Sequence, residues 1–283
     1  MKSTDKKKRA VKIISGGSLA LAVAVLLWWG NTAVSSTYID IFGERIPSGL
    51  DGFTIAHVSD LHNAEFGKSN EKLLSQLKAA SPDIIAVTGD LIDSRRHDIP
   101  KAMEFIDSAV DIAPIYYVSG NNEAWSGQYD ELKERLLEAG VTVLESESTT
   151  IEHEGVSLRL LGLSDPDFLL RYDKRSLVGS QLNDMVDGSG NYCILLSHRP
   201  ELFDIYAEHN IDLVLSGHAH GGQLRIPFVG GLAAPNQGLF PEYTEGLHKM
   251  NNTQMIISRG LGNSVFPLRV NNRPELIVAT LRS

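Results

Sequence analysis

The chain has 283 residues, 42% hydrophobic and 22% charged, ordinary globular usage that excludes a disordered chain, a collagen, a coiled coil and a multi-span membrane protein. Its one cysteine, Cys193, excludes an internal disulfide framework and a cysteine-rich zinc module. The net charge is −9, yet residues 1–12 carry +5 and leave −14 for the rest, so the body lacks the attraction to phosphate backbones that nonspecific nucleic-acid binding needs.

Taken in chain order, residues 1–12 are a basic tail. Residues 13–30, IISGGSLALAVAVLLWWG, carry no charge and as a helix would reach roughly 27 Å, near the thickness of a bilayer core. Trp28 and Trp29 stand at the far end; Lys6, Lys7, Lys8, Arg9 and Lys12 stand at the near end. This predicts a single-pass transmembrane anchor in the cell membrane, with the tail cytoplasmic and the body extracytoplasmic. Two other readings stay open. The segment could be a signal peptide cleaved after small residues such as Ala33 and Ser35, giving a secreted form, or it could be a buried core helix. The twin-arginine export pattern is absent, Lys8-Arg9 being as near as it comes. Residues 31–51 read as a connecting segment and first strand, and residues 52–283 as one domain without repeat or linker.

Within that domain short apolar runs alternate with amphipathic stretches. Strands are predicted at Thr54–Ser59, Ile84–Thr88, Ile115–Ser119, Val156–Leu163, Cys193–Ser197, Leu213–Ser216, Gln254–Ser258 and Leu276–Leu281. Helices are predicted at Asn70–Ala80, Pro100–Val110 and Tyr129–Ala139, the last stopped by Gly140. The first half alternates strand and helix, which implies parallel pairing; the second half is mostly strands. An α/β sandwich of two sheets fits this order better than a simple doubly wound sheet.

Five predicted strands end alike. They run into Asp60-Leu61-His62, Asp90, Asn121, His198 and His218-Ala219-His220, and in three of them a glycine precedes the ligand-type residue. In open α/β sheets the carboxyl ends of strands converge on the functional crevice. These endings would gather four histidines, two aspartates and one asparagine at one edge. Such a set, without thiolate, suits Mn²⁺, Fe or Zn²⁺ rather than an iron–sulfur centre or a closed structural zinc.

The motifs D-x-H (Asp60, His62), G-D-x-x-D (Gly89 to Asp93), G-N (Gly120, Asn121), a later His (His198) and G-H-x-H (Gly217 to His220) resemble the calcineurin-like metallophosphoesterases over roughly residues 52–282. The stretches HGGQLRIPFVGGL and SRGLGNSVFPLRVNNRPEL, with the anchor, are similar to the membrane-associated branch related to the bacterial YkuE and YaeI proteins. The resemblance implies a two-sheet α/β sandwich of the metallophosphoesterase type and two divalent metal ions per chain, Mn favoured over Fe or Zn. One ion would be held by Asp60, His62, Asp90 and His220; the other by Asp90, Asn121, His198 and His218. Two cations about 3.5–4 Å apart need a shared anion, which makes Asp90 the bridge, and they can generate a hydroxide at neutral pH for in-line attack on a phosphoryl group. Asp93 and Glu123 would orient ligands, although Asp93 could simply cap a turn. Gln223 and Arg225 could meet substrate or brace their loop. His57, inside a strand, is expected to be packed rather than ligating; His153, His209 and His248 to be surface groups; Cys193 to be a buried small hydrophobe.

One position departs from the family pattern. The third motif usually reads Gly-Asn-His, and the histidine there stabilises or protonates the leaving group; here it reads Gly120-Asn121-Asn122. An amide can donate a hydrogen bond but cannot give up a proton at neutral pH. His97 is a candidate substitute, because its loop leaves the same strand edge. The expected function is hydrolysis of a phosphodiester or pyrophosphate, an envelope or lipid-linked compound among the candidates. The alternative is a catalytically weakened metal-binding scaffold, motivated by Asn122. A nuclease is disfavoured by the acidic body, and a serine hydrolase by the absence of a G-x-S-x-G elbow.

Overall fold

The computed structural model describes residues 17–18, 21–169, 173–263 and 266–283. Residues 21–32 are helical and lead into β1, Ser35–Phe42. Part of the expected anchor, residues 13–16, 19 and 20, lies outside the described residues, as do residues 1–12. Among the described residues no helix is long and apolar enough to cross a membrane.

The elements that follow are β2 (Thr54–Val58), α1 (Glu71–Ala80), β3 (Ile84–Thr88), α2 (Ile99–Ala109), β4 (Ile115–Val118), α3 (Asn121–Ser126), α4 (Tyr129–Glu138), β5 (Thr142–Val143), β6 (Glu147–His153), β7 (Val156–Gly162), α5 (Lys174–Met185), β8 (Tyr192–Leu196), α6 (Phe203–Glu208) and β9 (Leu213–Ser216). Two small hairpins come next: β10 (Arg225–Ile226) with β11 (Gly230–Gly231), and β12 (Ala233–Ala234) with β13 (Gly238–Leu239). The chain ends with β14 (Gly246–Met250), β15 (Thr253–Ile257) and β16 (Glu275–Arg282).

Two six-stranded mixed sheets result. The first has the order β1-β16-β2-β3-β4-β5, with β2 to β5 parallel and β16 antiparallel to β2. The second has the order β14-β15-β9-β8-β7-β6, with β15, β9, β8 and β7 parallel between antiparallel edges. Strand β1, within the segment expected to hold a first strand, pairs along its whole length with β16.

The strand sequences explain the layering. Successive side chains point to opposite faces, and here both faces are covered. Ile55, Ile84 and Ala86 meet Leu160, Ile194 and Leu213 of the other sheet, whereas their neighbours Ala56, Ile85 and Val87 pack outward. Outside the first sheet lie Leu73 and Leu77 of α1, Phe105 and Ile106 of α2 and Leu132 and Leu136 of α4. Outside the second, Leu161, Leu195 and Val214 meet Leu182 of α5 and Phe203 and Tyr206 of α6. Burial on both sides is why these strands read as unbroken apolar runs; each fully buried Leu or Ile contributes about 1.5–3 kcal/mol. Asp98 starts α2 by accepting from Lys101 N at 3.1 Å, with Pro100 in the first turn. The parallel strands of each sheet point their carboxyl ends at one common edge.

Candidate metal centre

Each strand is followed by a sharp turn, and the turns carry the polar residues. Asp60, His62, Asp90, His218 and His220 all have positive φ, between 47° and 67°. For non-glycine residues this region is uncommon and costs on the order of 1–3 kcal/mol each, so the packing around this edge imposes the conformation. Two glycines make room for it. A Cβ on Gly120 would collide with Asp90 Oδ1, and one on Gly217 with Ser59 Oγ and Asp60 Oδ2.

All seven expected ligands come together and all are nearly or fully buried. Asp60 Oδ1 lies 3.2 Å from His220 Nε2 and 3.9 Å from His62 Nε2. His62 Nε2 is 3.2 Å from His220 Nε2 and 3.5 Å from Asp90 Oδ2. On the other side of Asp90 the same Oδ2 lies 3.4 Å from His198 Nε2, which is 3.2 Å from Asn121 Oδ1 and 3.1 Å from His218 Nδ1. Asp90 thus separates two groups of converging donor atoms. In each of the sets Asp60, His62, Asp90, His220 and Asp90, His198, His218, the donor atoms lie within 4.8 Å of one another. A cation with bonds of about 2.0–2.2 Å can reach such a set at once. The donor chemistry fits a hard or borderline divalent ion, and His62 Nδ1 is buried without a hydrogen-bond partner.

The electrostatics follow from burial. Burial lowers His62, drives His220 down to about 3 against the pull of Asp60, and, together with Arg199, holds His218 well below its usual value. The shift of all three is toward the neutral imidazole, the form that can ligate a cation. Burial also lowers His198, but the Asp90 carboxylate outweighs it and raises the group to about 10. Burial pushes Asp90 upward, and His198 and His62 pull it far below the carboxylate range. His198 Nδ1 donates to Thr88 O at 2.7 Å, which fixes the ring with Nε2 toward the cluster.

A second layer holds these groups. Ser59 Oγ donates to Asp60 Oδ2 at 2.6 Å, and His218 N donates to both Asp60 oxygens at 3.2 and 3.1 Å. The Glu123 carboxylate accepts from Asp90 N at 2.8 Å, Gly120 N at 2.7 Å and Ile92 N at 3.1 Å, tying two turns together. Burial and the charge of Asp90 raise Glu123 to about 7 despite those bonds. Asp93 is buried and caps its own turn, accepting from Arg95 N and Arg96 N at 3.0 Å; this is the capping alternative. His57 is packed inside β2 with Nε2 2.8 Å from Thr88 Oγ1 and is driven down to about 3 by burial.

Four further expected residues make contacts of their own. Gln223 Nε2 donates to Phe266 O at 2.9 Å and Leu268 O at 3.1 Å, and Arg225 donates to Gly221 O at 3.0 Å and pairs with Glu245. These bonds fit the loop-bracing alternative for both residues. His97 is exposed and lines a surface hollow with Arg96, Gln128 and Glu131. Asn122 is inside the cluster but not directed outward: Nδ2 donates to Asp90 Oδ2 at 2.6 Å, and Oδ1 accepts from Ser94 N at 3.0 Å. Among the surface histidines, His153 stacks edge-on against Phe53, and His209 and His248 are partly buried on backbone carbonyls.

Sequence reasoning missed two buried arginines. Arg199 Nη1 lies 3.1 Å from His218 Nε2 and Arg269 Nη2 lies 3.3 Å from His220 Nδ1. Asn272 Nδ2 adds a bond to His220 O at 2.7 Å. Arg269 and Asn272 lie in the carboxyl-terminal motif, which pointed to a family but gave no role to either residue.

Residues 53–222 match the Calcineurin-like phosphoesterase family. The chain belongs to that family. As a calcineurin-like phosphoesterase it is a phosphoester hydrolase. It is similar to the metallophosphoesterase YkuE of Bacillus subtilis, 28% identical over 88% of this chain and 86% of YkuE. It is 31% identical to the metallophosphoesterase YkoQ of the same organism over 92% of this chain and 96% of YkoQ. It is 28% identical to the phosphodiesterase YaeI of Escherichia coli over 81% of this chain and 82% of YaeI.

Proposed function

We propose that this calcineurin-like phosphoesterase hydrolyses a phosphodiester or pyrophosphate with two divalent cations. Asp60, His62, Asp90 and His220 would hold one, and Asp90, Asn121, His198 and His218 the other. The observation that carries this reading is the position of Asp90 Oδ2, 3.5 Å from His62 Nε2 and 3.4 Å from His198 Nε2, a single carboxylate oxygen facing both groups. Cations bound there supply Lewis-acid activation of phosphoryl oxygens and of attacking water, and Mn²⁺, Fe and Zn²⁺ all suit the ligands. The chain's own contribution is to keep three imidazoles neutral, to fix His198 through Thr88 O, and to hold Asp60 and Asp90 by short hydrogen bonds. Beside the cluster, a hollow of about 420 Å³ is lined by His62, Asn63, Arg96, Asp98, Lys101 and Asn263, and its Arg96 and Lys101 offer cationic groups to a phosphate-bearing substrate.

The N-terminal apolar segment serves, in this reading, as a membrane anchor with the basic tail cytoplasmic and the hydrolase domain extracytoplasmic. Its support is the uncharged run of residues 13–30 behind the basic cluster, and the exposure of Leu21, Leu26 and Trp28. A lipid-linked or envelope substrate is compatible with that placement.

The decisive experiment is metal analysis of the purified chain followed by turnover of bis(p-nitrophenyl) phosphate before and after chelation. Bound divalent metal and turnover lost on chelation and restored by Mn²⁺ are expected. Turnover untouched by chelation would overturn the metal reading. Metal binding without turnover of any phosphoester would favour the scaffold alternative, whose motive is that Asn122 has both amide ends occupied within the protein.

A further inference from the structure

The chain just beyond the G-H-x-H turn has an unusual surface. Residues 226–241, IPFVGGLAAPNQGLFP, hold no charged residue in a protein that is 22% charged. They form the two hairpins β10–β11 and β12–β13, which lean on each other through Phe240 N donating to Leu232 O at 2.9 Å. Their apolar side chains face out: Phe228 is fully exposed, Leu239 71%, Val229 and Phe240 each 61%. Soluble surfaces rarely gather large apolar groups in this way unless something covers them.

What covers them is indicated by what they adjoin. Arg225 N donates to Val270 O at 3.0 Å, and Gln223 Nε2 donates to Phe266 O at 2.9 Å, Phe266 itself being exposed. The same segment is stapled to the N-terminal helix: Asn31 Nδ2 donates to Arg269 O at 3.0 Å, and Arg269 N donates to Asn31 Oδ1 at 2.8 Å. Val270 then shares a cleft of about 450 Å³ with Leu26, Leu27, Trp29, Arg259 and Arg273, where the Arg273 guanidinium stacks on Trp29 at 4.4 Å. A continuous connection therefore runs from the apolar helix through residues 269–270 to the hairpins, with arginine and tryptophan at the junction. Arginine and tryptophan beside exposed aliphatic and aromatic side chains are the composition of a membrane interface.

We infer that the hairpin loops around Phe228 and Phe240 insert into the lipid bilayer beside the N-terminal segment, as a second membrane contact of the hydrolase domain. This rests on the anchor reading above and not on the phosphoesterase chemistry. The contact fixes how the domain stands on the membrane. His220 lies five residues before Arg225, so the cation-binding edge is held near the level of lipid headgroups, where phosphoesters of amphiphiles reside.

The test uses the full chain with Cys193→Ala, reconstituted into phosphatidylcholine–phosphatidylglycerol vesicles and carrying an environment-sensitive fluorophore at one introduced cysteine. Trp28→Cys reports the anchor, Phe228→Cys the loop, and Leu137→Cys an exposed apolar site on α4. Because the Phe228 side chain is fully exposed, its replacement leaves the fold intact. A blue shift and loss of emission with spin-labelled acyl chains are expected at positions 28 and 228, with neither at 137. Quenching at 28 but a water-like probe at 228 would overturn the second contact and leave the anchor standing. Water-like probes at both would overturn the contact together with the anchor. A blue shift at 228 without quenching by spin-labelled lipid would assign the surface to a second copy of the chain or another protein, and would also overturn it.

Discussion

Asn122 grips Asp90 from two directions: its backbone N donates to Oδ1 at 2.8 Å and its side-chain amide to Oδ2 at 2.6 Å. At this position the family histidine acts on the leaving group, whereas here the side chain orients the carboxylate that both ligand groups share. Asn122→Ala is therefore expected to weaken divalent-metal affinity about 10–100-fold, the usual effect of losing a partner that orients a ligand. Asn122→His should weaken it too, because an imidazole cannot reproduce the amide's bonds to both Asp90 and Ser94 N. Metal titration by calorimetry reads the effect. Unchanged affinity in both variants would show that the backbone bond alone positions Asp90.

The missing acid has its own consequence. Asn122 has no proton to give at neutral pH and its amide is bonded to Asp90 Oδ2, while His97 lies on an exposed surface hollow with no expected ligand in its lining. General acid help is worth about 10²–10⁴-fold and matters most for poor leaving groups. Aryl phosphodiesters and pyrophosphates should be turned over, and alkyl phosphodiesters far more slowly. His97→Ala should leave the alkyl-to-aryl ratio unchanged in steady-state assays. A selective loss on alkyl esters would place His97 in the reaction after all.

Glu123 accepts three backbone N–H bonds with two oxygens. An amide has only one acceptor atom, so Glu123→Gln must turn its NH2 toward at least one buried donor. That leaves an unpaired group costing about 1–3 kcal/mol, and it loosens the turn bearing Asp90. Chemical denaturation should show a loss of that size, with metal content reduced in parallel. A variant as stable as the parent would mean that the turns are held by packing alone.

The parts of this molecule legible in its sequence share a physical cause. Strands covered on both faces leave continuous apolar runs, and β2, β3, β4, β8 and β9 stand within a residue or two of their predicted limits. The seven ligand-type residues follow those runs directly, so locating the strands located the cluster. Edge strands left weaker traces: β6 and β14 alternate exposed and half-buried residues, and neither was foreseen. Helix α5 does bury Val178, Leu182 and Met185 at helical spacing, but Gly179 and the polar residues among them blur the pattern. Orientation was the least legible property. Gln223 and Arg225 follow His220 closely in sequence, yet what their side chains bond to, Phe266 O and Leu268 O for one and Gly221 O and Glu245 for the other, could not be read from it. Arg199 and Asp165, which meet at 2.6 Å, are 34 residues apart and carry no motif.

Cys193 offers a test of the second sheet's packing. Burial, with the nearby Asp212 carboxylate, pushes its thiol up to about 12, so it is protonated throughout the neutral range. Thiolate is the reactive form, and alkylation at pH 8 should be slow in the folded chain and fast in denaturant. The sign for stability follows: between the unfolded thiol value and about 12 the folded state holds a proton that the unfolded state has lost. Stability should decline as pH rises through that window and be insensitive to this group below it. The structure leaves Cys193 partly rather than fully buried, in a hollow with Arg45 and Arg159, and rapid labelling of the native chain at pH 8 would contradict even that shielding.

Arg199 makes the strongest prediction, because it is only 2% exposed and surrounded by acids. Its Nε and Nη2 bind both oxygens of Asp165 at 2.6 and 2.8 Å, and Nη2 also lies 2.9 Å from Asp167 Oδ2. Burial lowers the guanidinium's pKa and Asp165 more than restores it, so it remains charged. Asp167 has a second cation in Lys174, whereas Asp165 would be left buried with none among the described residues. Breaking a buried pair from one side costs about 3–5 kcal/mol, and Arg199→Met should lose that much in chemical denaturation. Adding Asp165→Asn to Arg199→Met removes the stranded charge and should recover part of the loss. Arg199→Lys keeps the charge but not the two-pronged geometry, so it should fall between parent and Met variant. Arg199 also steadies His218, with Nη1 3.1 Å from Nε2, and stands apart from the Asp60–His220 contact. Metal titration of the Lys variant should therefore show weakening at one of the two expected binding steps and not the other. Equal weakening of both steps, or a Met variant within 1 kcal/mol of the parent, would show that Arg199 neither anchors this loop nor positions His218.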